Sequence, residues 1–281
     1  MDGWHFSAAL ASAFLHAAWN AGIKASVRPR EAMAAQMTGA ALLGAVALFW
    51  TGLPSLAALP WLALSTTLAL LAVIALLKAY DSGPFGTVYP TSRAVSVLCV
   101  ALLAPLLTGE WPGPAALGGI GLIAGALLML ALDARRAGAA GAFPMRALGW
   151  TLAAGGVTAL YALVDAQGAR AADSAAAYGC AASIANALAM GWRMRAAGNP
   201  LVLLRAHWRI ALPAAFASMA SYVLILWVWT QAPVAPAAAL RDTSALFAML
   251  IAVLFLGETL GTWRLLAVLL AIAGVPLLRL G

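Results

Sequence analysis

Long apolar runs follow one another along the whole chain, parted by short polar or glycine–proline breaks. A membrane-spanning helix needs about 20 mostly apolar residues. Ten runs of that order fit, at 5–24, 32–51, 58–80, 84–107, 113–132, 146–170, 174–193, 207–230, 233–255 and 260–279. The breaks carry turn chemistry, as in Gly52-Leu53-Pro54, Asp81-Ser82-Gly83-Pro84 and Trp111-Pro112-Gly113-Pro114. Longer polar stretches lie at 133–145 and 194–206, and the first of them divides the chain in two.

The two parts match. Tyr89-Pro90-Thr91-Ser92-Arg93 and Leu240-Arg241-Asp242-Thr243-Ser244 each lead into a hydrophobic run that closes on Gly-Glu. Arg93 and Arg241 stand as far apart as Gly109 and Gly257, 148 residues in both cases, and Ser96 and Ser244 keep the same offset. The pattern predicts a duplicated unit, residues 1–138 and 139–281. Five helices per unit is an odd number, so the second unit enters the membrane from the opposite side. The expected fold is an all-α integral membrane protein of ten transmembrane helices in two inverted five-helix repeats.

Composition agrees. The chain is 64% hydrophobic and only 9% charged, whereas a soluble domain carries about 25% charged residues. The net charge of +7 reads as loop positions and not as a nucleic-acid surface. Lys24, Arg28, Arg30, Lys78, Arg135, Arg136, Arg146, Arg193, Arg195, Arg205, Arg209 and Arg264 fall on one face, against Arg170 and Arg279 on the other. The excess of lysine and arginine on cytoplasmic loops then places both termini outside, in a bacterial-type inner membrane. Tryptophans such as Trp4, Trp50, Trp111 and Trp208 mark run ends as interfacial anchors. The first run lacks a basic leader and reads as a retained helix. Cys99 and Cys180 sit in apolar stretches as core residues. Zinc-like spacings, phosphate loops and nucleophile elbows do not occur, so neither a cofactor nor a metal nor an enzymatic activity is expected.

His16-Ala17-Ala18-Trp19-Asn20 followed by Lys24, the two arginine segments and the paired Gly-Glu closures together resemble EamA-type members of the drug/metabolite transporter superfamily. Where this chain has Asp242 before Thr243-Ser244, that family more often has Glu. The resemblance spans nearly the whole chain. It implies a ten-helix inverted-repeat transporter of small metabolites, often amino acids.

The candidate substrate-binding residues are His16, Asn20, Tyr89, Arg93, Tyr161, Asp165, Trp227 and Arg241. Arg93 lies about nine residues into its run, roughly 13 Å deep, and Arg241 reaches a similar depth from the other side. A cation at that depth is costly and marks either a binding site or a buried pair. Guanidinium forks match carboxylates, while Glu258 or a helix end offers Arg93 a structural partner. The expectation is that Arg241 is structural, held by a helix end and Asp242, and that Arg93 lies nearer the substrate path. His16 and Asn20, four apart, share a helix face. Asn20 reads equally as glue between helices, and His16 as a titrating group. Tyr89, Tyr161 and Trp227 are placed in the cavity, with Tyr80 and Trp229 at the interface. Asp165 either pairs with Arg170 or holds an ammonium or a coupling proton. Glycine stripes at Gly118, Gly121 and Gly125 and at Gly155-Gly156 are expected to bring helices close.

These readings favour an exporter or facilitator of small zwitterions, amino acids first. An organophosphate or nucleotide-sugar antiporter would want several deep cations. A proton-coupled drug carrier of the superfamily's four-helix type would want a carboxylate in the first run, and 5–24 holds none. A passive channel fits the inverted repeat less well than a carrier does. The expected partners are a small-molecule substrate and the lipid bilayer, with no nucleic acid, and the expected state is a monomer.

Overall fold

The computed structural model describes residues 1–137, 143–193, 198–256 and 261–280. Among them the chain is all helical, with no strand. The helices are α1 (Gly3–Lys24), α2 (Pro29–Thr51), α3 (Leu59–Tyr80, entered through a 3-10 turn at Leu56–Ala58), α4 (Phe85–Leu107), α5 (Pro114–Ala137), α6 (Met145–Ala171), α7 (Ala175–Arg193), α8 (Pro200–Gln231), α9 (Val234–Asp242), α10 (Ser244–Leu256) and α11 (Thr262–Leu280). Eight spans are long and apolar enough to cross a membrane, with α9 and the start of α10 counted as one. The full-length helices outside that set are α1, which carries His16, Trp19 and Asn20, and the short α7.

Each apolar run corresponds to a helix, with two corrections. The eighth begins at Pro200 and not near 207, because Asn199 caps it: the Asn199 side chain accepts from the Leu201 N–H at 2.9 Å, and proline suits the first helical position. At 32 residues α8 is about 48 Å long, longer than a hydrocarbon core of about 30 Å. Arg205 and Arg209 lie in its first turns. The ninth run is not one helix. It breaks at Thr243, whose hydroxyl donates to the Leu240 carbonyl at 2.6 Å.

Packing sets α3 on α6, α8 on α1, α4 on α6, and α9 and α10 on α1. The pairs α5–α11, α2–α7 and α4–α9 also meet. Glycines allow three of the closest approaches. A Cβ at Gly119 would lie 2.8 Å from the Gly274 carbonyl oxygen, where α5 crosses α11. One at Gly155 would lie 2.6 Å from the Ser92 carbonyl oxygen of α4. Gly168 of α6 faces the Tyr178 ring of α7. The stripe expected at Gly118, Gly121 and Gly125 is largely open space: only Leu277 approaches Gly118, and nothing stands against Gly121, Gly125 or Gly156. Polar side chains tie further helices. Ser12 and Ser221 exchange hydroxyl-to-carbonyl bonds, both 2.7 Å and fully buried, and Gln36 donates to Ser218 at 2.6 Å.

Charges sort by end. At one end Lys24 covers Phe85, Lys78 covers Trp150, Arg136 covers Trp263, and Arg264 donates to Asp133 at 3.0 Å. At the other, the N-terminal ammonium donates to the Arg279 carbonyl at 3.1 Å, and Asp2 caps α1 by accepting from the His5 N–H. That backbone bond holds the Asp2 carboxyl below its ordinary range. Cys99 is half-buried and Cys180 buried, and both are free thiols. Arg195, Gly257 and Glu258 lie outside the described residues, so Glu258 provides no observed partner for Arg93.

Candidate functional site

The break between α9 and α10 lies where α9 meets α4. Asp242 closes α9, and its carboxylate accepts from Arg93 of α4 at 3.3 Å. Arg93 also stands over the ring of Tyr89, one turn earlier, at 5.1 Å. Tyr89 in turn stacks on Phe85 with centroids 5.5 Å apart and rings nearly parallel. This corrects the expected assignment of partners. Asp242 serves Arg93 and not its neighbour Arg241, because adjacent residues on a helix do not face each other.

Arg241 has no such carboxylate. Among the described residues no acidic group lies within ion-pair distance of it. Its guanidinium stands over two aromatic rings of α8, Tyr222 at 6.0 Å and Trp229 at 5.9 Å. The Trp229 indole N–H is fully buried and unpartnered, and so is the Ser244 hydroxyl that opens α10. His16 of α1 feels the charge of both Arg241 and Arg93, and its ring meets Trp19 edge-on at 5.3 Å. Asn20 turns back on its own helix and donates to the His16 carbonyl at 2.8 Å.

Trp227 is not in this group. It is 39% exposed and leans on the His5 ring, 4.7 Å away, near the start of α1. Trp229, placed at the interface from sequence, has no exposed surface. The helical phase was the available signal: Trp229 follows Tyr222 by seven residues and shares its face, whereas Trp227 follows by five.

Asp165 of α6 is also fully buried. Three hydroxyls converge on it from three other helices: Ser65 of α3 at 2.5 Å and Tyr178 of α7 at 3.1 Å on Oδ1, and Tyr222 of α8 at 2.6 Å on Oδ2. Tyr161 stands one turn back on α6, beside Asp165 and Tyr222. The Asp165–Arg170 pair expected as one option does not form. Arg170 instead bonds Glu110 at 2.5 Å and the Trp229 carbonyl at 2.8 Å. Glu110 also accepts from the Val234 N–H at 2.8 Å, at the first turn of α9. The first Gly-Glu closure thus clamps the start of α9 to the ends of α6 and α8.

Among the described residues the site has one guanidinium paired with a carboxylate, one with no carboxylate within ion-pair distance, and a buried carboxylate held by hydroxyls. Such a set has the donors and acceptors to bind and orient charged small molecules. The sequence profile of the EamA-like transporter family matches residues 145–280, from the start of α6 to the end of α11. The matched residues are an EamA-like domain that makes up just under half of the chain. Its apolar helices make the chain a multi-pass membrane protein, and the matched domain is that of small-molecule transporters, not of enzymes. One solved crystal structure shares its fold with a TM-score of 0.75 at 16% identity, covering 99% of this chain and 96% of that one. No curated protein matches this chain by sequence.

Proposed function

We propose that this chain carries small carboxylate-bearing metabolites, amino acids foremost, by alternating access, and that Arg241 anchors the carboxylate. The observation behind this reading is the imbalance around Arg241. The guanidinium and the Trp229 indole N–H are both donors there, and among the described residues no acidic side chain lies within bonding distance of either. A carboxylate supplies acceptors in the geometry a guanidinium fork prefers. Tyr222, Trp229 and Tyr161 offer ring faces to a side chain or an ammonium. Arg93 takes the scaffold role with Asp242, while His16 borders both arginines.

The ten-span inverted repeat is part of the same proposal. In support, α3 packs on α6 as α8 packs on α1, and α4 packs on α6 as α9 and α10 pack on α1. The contacts α5–α11, α2–α7 and α4–α9 join equivalent spans of the two halves. A two-fold relation generates such pairs. A discontinuous span at the site is a common feature of carriers built this way. An organophosphate antiporter is disfavoured because Asp242 already engages the second deep cation.

Thermal unfolding of the purified protein tests the reading. Ligand at 100 times its Kd adds about 2.7 kcal/mol. Amino acids should raise Tm, while their decarboxylated amines and sugar phosphates should not. Arg241→Gln should keep its ligand-free Tm and lose the response. Arg93→Gln should lose stability in the absence of ligand. An Arg241→Gln protein that responds like the parent would remove Arg241 from the site.

A further inference from the structure

Among the described residues, no other carboxylate is as buried as Asp165, and its surroundings differ from those of the other buried or half-buried acids. Asp242 faces Arg93, Glu110 faces Arg170 and the Val234 N–H, and Asp133 faces Arg264. Each of these has a donor that cannot become an acceptor. Asp165 has only hydroxyls. α3 brings Ser65, α7 brings Tyr178, α8 brings Tyr222, and α6 itself brings Tyr161. α4 also packs on α6, and among the described residues none of its side chains bonds the carboxylate. No lysine, arginine or histidine lies within ion-pair distance of it among the described residues. Arg241 of α9 is set apart from it by the ring of Tyr222.

A hydroxyl donates or accepts according to need. An ionised Asp165 accepts all three O–H groups. A protonated Asp165 donates its own proton to one hydroxyl oxygen, which turns its hydrogen elsewhere. The cage accommodates both forms without moving a heavy atom. Tyr222 links this cage to the transport site, since its hydroxyl binds Asp165 while its ring carries Arg241.

We propose that Asp165 is the proton-binding group of the transport cycle, taking one proton from the aqueous phase and returning it, with Tyr222 passing its protonation state to the Arg241 site. The step is an acid–base exchange: carboxylate plus proton gives carboxylic acid, and no other bond changes. The proton site stands on its own geometry, and only its coupling to cargo rests on the carboxylate reading of Arg241.

Infrared titration of the full-length protein tests the proton site without any substrate. The carbonyl stretch of a protonated carboxylic acid should appear and vanish reversibly as the pH is cycled. It should be missing from Asp165→Asn and shifted in midpoint by Tyr222→Phe. A parent protein with no titrating band, or one that Asp165→Asn leaves in place, overturns the proposal. If Asp165→Asn does not fold, the shift caused by Tyr222→Phe carries the decision, and an unmoved midpoint overturns the link. Proteoliposomes with the membrane potential clamped and labelled L-phenylalanine as probe test the coupling. One pH unit should drive up to about tenfold accumulation per coupled proton. Asp165→Asn should lose the pH-driven accumulation, and equal accumulation in both proteins overturns the proposal. Failure to carry L-phenylalanine at all counts against the amino-acid reading, while the infrared titration still decides Asp165.

Discussion

Two arginines that stand at equivalent places in the sequence have different partners because Asp242 faces only one of them. Adjacent side chains on a helix diverge by about 100°. Asp242 therefore points from α9 toward α4 and Arg93 while Arg241 points toward the α8 rings. Asp242→Asn should leave Arg93 without its counter-charge and cost about 3 kcal/mol. Thermal unfolding in detergent reads this directly, and an unchanged Tm would mean that the 3.3 Å contact contributes nothing. The depth of both arginines was legible from run positions, but the identity of each partner was not, since spacing along one helix says little about contacts between helices. Asp165 and Arg170 show the same limit. Five residues apart, they do not share a face, and each finds its partners on other helices.

At the scale of elements, apolar runs located the helices because burial in lipid demands them. Hydropathy averaged over a run passes over a one-residue interruption, so the α9–α10 break was hidden inside 233–255. Its polar sequence, Arg241-Asp242-Thr243-Ser244, was the visible trace. The start of α8 was equally visible in Asn199-Pro200 but masked by the basic residues that follow. Glycines were harder to read, because their count does not reveal which face another helix approaches. Gly155 and Gly156 make the point testable. Gly155→Ala forces a Cβ against the Ser92 carbonyl and should cost about 1–3 kcal/mol as overpacking. Gly156→Ala meets open space and should be tolerated. Equal Tm and yield for the two variants would contradict the α4–α6 contact.

For the whole molecule, internal matching led to the proposed bipartite plan, and the contacts α5–α11, α2–α7 and α4–α9 support it. Orientation follows from charge. Lys24, Lys78, Arg136 and Arg264 gather at one end of the bundle, opposite Met1 and Arg279. By the bias of lysine and arginine toward cytoplasmic loops, both termini should face outward. Alkaline phosphatase fused to the C-terminus should then be active, since it folds only outside the cytoplasm. A stable but inactive fusion would invert the topology and leave the fold untouched.

Trp229 also gives the protein a built-in optical reporter. Most of its eleven tryptophans stand at helix ends open to lipid or water: Trp4 is 82% exposed, Trp50 80% and Trp111 83%. Quenchers dissolved in the bilayer and in the buffer would darken those. Trp229 has no exposed surface and sits 5.9 Å from the Arg241 guanidinium, so the light that survives quenching comes largely from the wall of the anchoring site. Changes in that residual emission would follow the site as it fills and empties, with no label attached.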